Sequence, residues 1–137
     1  MSLNIQPRVV FHIDDDADDR LLVSLAIQSI DPSMILREAN NGKKAIEFLQ
    51  QAKLFGDLPC LIILDLNMPV MDGYATYKEI KRDAALSVIP IVIFTTSFDR
   101  RDKQYWEKEN VVLLTKPVRF DLFTESVSKI LAHCATK

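Results

Sequence analysis

Along the chain, short runs of β-branched and large apolar residues alternate with segments whose apolar positions return every three or four residues, five times over. "RVVFHI" (8–13) is a strand pattern ending in acid, and "ADDRLLVSLAIQSI" (17–30) places Leu21, Leu22, Leu25, Ala26 and Ser29 at helical spacing before Pro32. "MILREA" (34–39) is a shorter strand closed by Asn40-Asn41-Gly42, and "KKAIEFLQQAK" (43–53) is a helix with Ala45, Ile46, Leu49 and Ala52 on one face. "CLIILD" (60–65) is an unbroken apolar strand of the kind covered on both faces. "YATYKEIKRD" (74–83) is helical, "IVIFTT" (91–96) is a second buried strand, and "DRRDKQYWEKEN" (99–110) a polar helix. "VVLLT" (111–115) is the fifth strand and "RFDLFTESVSKILAH" (119–133) the fifth helix.

Strands alternating with helices require right-handed crossovers and a parallel sheet with helices on both faces. The reading is an α/β, doubly wound five-stranded sheet forming one domain over 1–137, with its core at about 8–133 and no output domain. In such a sheet the working crevice lies outside the carboxyl ends of the strands, where the strand order reverses.

Composition adds mostly exclusions. The 137 residues are 48% hydrophobic and 26% charged with a net charge of −2, so neither a nucleic-acid footprint nor an attraction to anionic membranes is expected. No signal peptide or membrane-length apolar run is visible, which makes the cytoplasm the expected location. Cys60 and Cys134 lie outside any CxxC pattern; metal ligation by them is not expected, and their distance in sequence gives no ground for pairing them.

The strand ends carry the chemistry. Strand one is followed by Asp14, Asp15 and Asp16, strand three ends on Asp65, strand four on Thr95 and Thr96, and strand five runs into Lys116 and Pro117. A carboxylate at the tip of a core strand is costly unless something there uses or neutralises it. Asp14, Asp15 and Asp65 meeting at one edge would repel one another, and a hard divalent cation removes that repulsion. Adding Lys116 as a point charge and Thr95 as a hydroxyl donor completes the parts that receive a phosphoryl group on a carboxylate.

The combination "FHIDDDADDR … IILDLNMPVMDG … IVIFTT … LLTKP" resembles the receiver domain of two-component response regulators over nearly the whole chain. The resemblance implies a flavodoxin-like fold with strand order 2-1-3-4-5, that of the family's chemotaxis regulator. It implies that Asp65 is the phospho-acceptor and that Asp14 and Asp15 hold Mg²⁺ (Mn²⁺ substituting) together with Asp65 and the backbone carbonyl of Asn67. Thr95 and Thr96 then stand at the switch, Lys116 pairs with the phosphate, and Pro117 follows at a cis-peptide position. The implied donor is a sensor histidine kinase or a histidine phosphotransfer protein. The output is a downstream protein met through the face of helix four, strand five and helix five, from a monomer or weak homodimer. The chain is expected to signal rather than catalyse, with at most self-phosphorylation from small donors and slow autodephosphorylation.

Three departures stand out. Leu113 occupies the place of the family's usual inward-turning aromatic, and "KENVV" replaces its Gly-Ala before strand five. Thr96, where the family commonly has a smaller residue, narrows access to an acyl phosphate, and Asn67 and Ser97 sit where its lifetime is tuned.

Plainer roles suit other residues. Asp16 is a helix N-cap, Asp18 and Asp19 suit the helix dipole, and Asp72-Gly73 turns the chain into the next helix. His12 reads as a satisfied core histidine, and His133 has no function. Tyr105 and Trp106 leave two uses open, packing on strand five or anchoring a partner. Met68, Val70 and Met71 pack the acceptor loop with a role in kinase docking. A phosphatase of the haloacid-dehalogenase type would need an acid where Asn67 stands. A flavin carrier would want a phosphate loop rather than acids after strand one. A receiver kept only as an unphosphorylated scaffold is the remaining alternative.

Overall fold

In the computed structural model, which describes residues 7–135, the strands are β1 (Val9–Ile13), β2 (Ile35–Ala39), β3 (Leu61–Leu64), β4 (Ile91–Thr95) and β5 (Val112–Thr115). The helices are α1 (Ala17–Ile30), α2 (Gly42–Leu54), α3 (Gly73–Arg82), α4 (Arg100–Lys108) and α5 (Phe120–Leu131). All pairings are parallel, in the order β2-β1-β3-β4-β5. The sequence boundaries hold to within two residues; the 3₁₀ turn Leu86–Val88 has no period long enough to announce it.

Side chains alternate across the sheet, and the two sets build two cores. Phe11, Ile13, Ile62, Leu64, Ile91 and Ile93 face Ala45, Leu49, Tyr77, Ile80 and Trp106 from α2, α3 and α4. Val10, Leu61, Ile63, Val92 and Phe94 face Val23, Ala26 and Ile27 of α1 and Phe123, Val127 and Ile130 of α5. β3 is buried at all four positions, as its unbroken apolar run requires.

Local chemistry starts the helices. Asp16 caps α1 by accepting from the Asp18 and Asp19 N–H groups at 2.8 and 3.2 Å. Asn41 caps α2, Asp72 caps α3, and Asp99 with Asp102 forms a reciprocal capping box on α4.

Of the two aromatic residues left open by the sequence, packing decides Trp106. Trp106 is fully buried against Tyr74 and Tyr77 of α3 and its neighbour Tyr105, which removes it as an exposed anchor. The cysteines, unpairable from sequence, form a Cys60–Cys134 disulfide because β3 begins beside the turn that follows α5. No helix among the described residues is long and apolar enough to cross a membrane.

Candidate functional site

The parallel sheet brings the ends of β1, β3, β4 and β5 to one edge, and ladder bonds fix their depth. The Asp14 N–H donates to the Ala39 carbonyl at 3.0 Å, Asp65 N–H to Ile13 at 3.0 Å, and Lys116 N–H to Thr95 at 2.7 Å. Asp14, Asp65 and Thr95 therefore leave from the ends of buried strands, and Lys116 from the end of the half-exposed edge strand β5. Gly73 closes the cleft from α3: a Cβ there would lie 2.4 Å from the Asp65 carbonyl oxygen and 2.7 Å from Leu66 Cα, so only glycine lets the helix start so near.

Asp14, Asp15 and Asp65 each offer a carboxylate oxygen, and the three oxygens lie within 4.8 Å of one another. Asp14 is fully buried and Asp65 nearly so, whereas Asp15 is exposed at the mouth. Lys116, also buried, donates to Asp14 Oδ2 at 2.7 Å and to Asp19 Oδ2 at 2.8 Å, and stands 3.6 Å from Asp65 Oδ2. The Asp65 Oδ1 atom accepts the Leu66 N–H at 2.9 Å, which orients the carboxylate.

The two buried acids are driven in opposite directions. Burial pushes Asp14 up, but the contact with His12 and the hydrogen bond and charge of Lys116 outweigh it and bring the group to about 2. Burial also pushes Asp65 up; Lys116 pulls it down, the Asp14 charge raises it again, and the net direction is upward. Lys116 is desolvated, yet its bonds to Asp14 and Asp19 and the charges of Asp14 and Asp65 raise its pKa and keep it protonated. The lysine thus serves Asp14 and Asp19 first and leaves Asp65 undercompensated.

The hydroxyl of Thr95 is buried at the end of the strand beside Asp65, near enough to draw the Asp65 carboxyl down but without a formed hydrogen bond. An unpaired buried hydroxyl costs roughly 1–3 kcal/mol, so it marks a place where an acceptor oxygen is wanted. Thr96 and Asn67 are exposed at the cleft margin. Leu113 is half-buried and packs on the core that holds Trp106, so an aliphatic side chain takes the place of the family's aromatic.

Three expectations change. The Lys116–Pro117 peptide is trans, as are all peptide bonds among the described residues; trans is the lower-energy form for X–Pro, and Lys116 reaches its acids from it. His12 is buried but not satisfied: neither ring nitrogen has a hydrogen bond, and Nε2 stands 3.5 Å from Asp14 Oδ2, too far for one. Strand alternation turns His12 onto the Val10 face, between apolar side chains of α1 and α5. Asp19 is more than a dipole partner, since its carboxylate holds Lys116. Its signal was faint: Asp19 stands three residues after the N-cap, where a side chain turns back over the start of its helix. Arg20, which donates to the Asp14 carbonyl at 2.8 Å, gave no sequence signal.

A five-stranded parallel sheet in this order, with acids, a hydroxyl and a lysine at its carboxyl edge, defines a receiver-type signalling domain. A family model for the response regulator receiver domain matches residues 10–128, and the chain belongs to that family. Among curated relatives, response regulator Rcp1 of Synechocystis sp. is 37% identical over 100 residues, covering 70% of this chain and 67% of its own. The solved structure of the phosphorylated cyanobacterial phytochrome response regulator RcpA aligns with a TM-score of 0.85 at 27% identity, over 96% of this chain and 98% of that one. The Mn²⁺-bound form of response regulator Rcp1 aligns with a TM-score of 0.80 at 31% identity, over 92% and 93% of the two chains.

Proposed function

We propose that this chain is a phosphorylation-controlled interaction module that accepts a phosphoryl group on Asp65. The observation that carries the reading is the undercompensated Asp65 carboxylate, set among Asp14, Asp15, Lys116 and the unpartnered Thr95 hydroxyl. A carboxylate oxygen of Asp65 forms the new O–P bond while the donor's N–P bond breaks and its imidazole leaves. Oδ2 is suited to this role because Oδ1 is engaged by the Leu66 N–H.

The donor set fits a hard divalent cation: three carboxylates close together, one exposed to solvent, with the Asn67 carbonyl nearby in sequence. Asp14, Asp15, Asp65 and that carbonyl would hold Mg²⁺, or Mn²⁺, the ion bound in the Rcp1 structure, and it would neutralise the acids and the incoming phosphoryl oxygens. Lys116 and the Thr95 hydroxyl would then bind the phosphoryl oxygens, and Thr96 at the margin limits the approach of water.

The donor proposed is a sensor histidine kinase or a histidine phosphotransfer protein. Drawing Thr95 inward and shifting Lys116 would bias the loops after β3 and β4 and so re-shape the face of α4, β5 and α5, where a downstream protein binds or the phosphate is passed on. With Leu113 in place, that relay runs through aliphatic packing on the Trp106 core. Residues 8–133 act in this reading as one receiver unit, monomeric or weakly dimeric, working in the cytoplasm.

Incubation with acetyl phosphate and Mg²⁺, followed by intact mass, tests it. One phosphoryl group per chain is expected, lost in Asp65→Asn and on chelation. Equal labelling of Asp65→Asn overturns the assignment.

A further inference from the structure

At the end of the sheet remote from the acids, Cys60 and Cys134 are disulfide-bonded with their Cα atoms 5.0 Å apart. We propose that this pair is a reversible thiol–disulfide modification site that fastens the C-terminal end of α5 to the base of β3. Cys60 directly precedes β3 and is fixed by donating its N–H to the Val9 carbonyl at 2.8 Å. Cys134 lies in the turn after α5, held by its N–H to the Leu131 carbonyl at 3.0 Å and by the Ala135 N–H to the Cys60 carbonyl at 2.9 Å.

Both oxidation states suit this place. The two cysteines are 6% and 7% exposed and belong to the core that includes Ile27, Leu61 and Ile130, so as thiols they pack as small apolar side chains. A Cα separation of 5.0 Å lies in the range a disulfide spans without backbone movement. The flanking residues Ala132, His133 and Ala135 are exposed, so opening of this one turn uncovers Cys134 while Cys60 stays on the strand.

The co-reactant class is a small-molecule disulfide such as oxidised glutathione. The Cys134 thiolate attacks one of its sulfurs, forming a mixed disulfide and releasing one small thiolate. The Cys60 thiolate then attacks the Cys134 sulfur and expels the second. The two cysteine protons go to the released thiolates, and the protein is oxidised by two electrons. Because α5 starts just after Lys116-Pro117 and ends at this bond, oxidation pins the far end of a helix whose near end follows the cleft. Cys60 and Asp65 flank β3 five residues apart, about 17 Å at strand rise, so the clip changes the tethering of α5 and not the phosphate chemistry.

The test equilibrates the full-length protein in buffers of graded reduced-to-oxidised glutathione ratio, then counts thiols by mass after denaturing alkylation. The expected course is from two alkylated cysteines to none, without an accumulating singly glutathionylated form. Oxidation should raise the urea midpoint by about 1–3 M. It should also slow amide exchange in residues 130–135. Cys134→Ser should match the reduced protein and ignore the buffer. Thiols that persist in excess oxidised glutathione, a stable mixed adduct, or equal midpoints in both states overturn the proposal. Labelling by acetyl phosphate is read in parallel and should not change with oxidation, so this site and the reading of Asp65 fail separately.

Discussion

Replacing Lys116 by Met keeps the aliphatic stem and removes only the charge, which isolates what the ammonium contributes. It deletes bonds of 2.7 Å to Asp14 and 2.8 Å to Asp19 and the 3.6 Å contact with Asp65, leaving three carboxylates without their shared cation in a site where Asp14 is wholly shielded from water. Removing one partner of a buried pair costs about 3–5 kcal/mol. The lower end applies, because Asp19 keeps access to solvent. At about 3 kcal/mol the urea midpoint falls by about 1–3 M. The pH dependence is the sharper signature. In the native protein Asp14 sits below its ordinary value of 3.8, so its stabilising contribution is present above 3.8 and lost as pH falls toward about 2. Without Lys116, burial still pushes Asp14 up and only the neighbouring His12 opposes it, so its pKa rises from the native value and the variant carries a penalty at neutral pH that protonation relieves as pH falls. Urea titrations without metal at pH 7 and pH 4.5 should therefore show a gap that narrows on acidification. A gap below about 1 kcal/mol, or one independent of pH, refutes the claim that Lys116 compensates buried charge.

Further outcomes follow from the same geometry. Asp65 has a raised pKa, so its contribution is favourable below 3.8 and lost as pH rises through its folded-state value; Asp65→Asn should therefore raise the metal-free midpoint at pH 7, read by thermal or urea unfolding. Mg²⁺ at a hundred times its dissociation constant should stabilise the native protein by about 2.7 kcal/mol and Asp65→Asn by much less, measured by thermal shift. Gly73→Ala should cost about 1–3 kcal/mol and slow labelling by acetyl phosphate, since its Cβ meets the backbone of Asp65 and Leu66. Val70 is 80% exposed at φ 69°, inside a three-residue turn closed by the Met71 N–H and the Pro69 carbonyl. Val70→Gly should stabilise by up to about 1 kcal/mol in urea titrations, because relief of positive-φ strain exceeds glycine's entropic cost; a loss would show that the side chain packs in the loop.

Much of this molecule is legible in its sequence because its signals are local. The apolar run at Ile62–Leu64 is long enough to declare a strand covered on both faces, and a parallel sheet then sends every strand-end group to one edge. Asp14, Asp65, Thr95 and Lys116 meet for that topological reason alone. Features set by side-chain reach across the sheet were not legible. Asp19 clasps Lys116 across 97 positions, and Cys60 meets Cys134 across 74. Neither spacing carries a period; the first closes only where the start of α1 meets the end of β5, and the second only where the turn after α5 meets the start of β3. The state of His12 was hidden for a related reason: strand alternation gives its face, while its unpaired nitrogens depend on the apolar neighbours that two helices bring there.

In the proposed reaction the Asp65 carboxylate itself becomes an acyl phosphate. Borohydride reduces an aspartyl phosphate to homoserine, so labelling with acetyl phosphate and Mg²⁺, reductive trapping and peptide mapping locate the modified residue directly. Homoserine is expected at position 65 and at no other acid of the cleft, and none when the metal is chelated. Homoserine at Asp14, Asp15 or Asp19, or a phosphorylated chain with none at position 65, would contradict it.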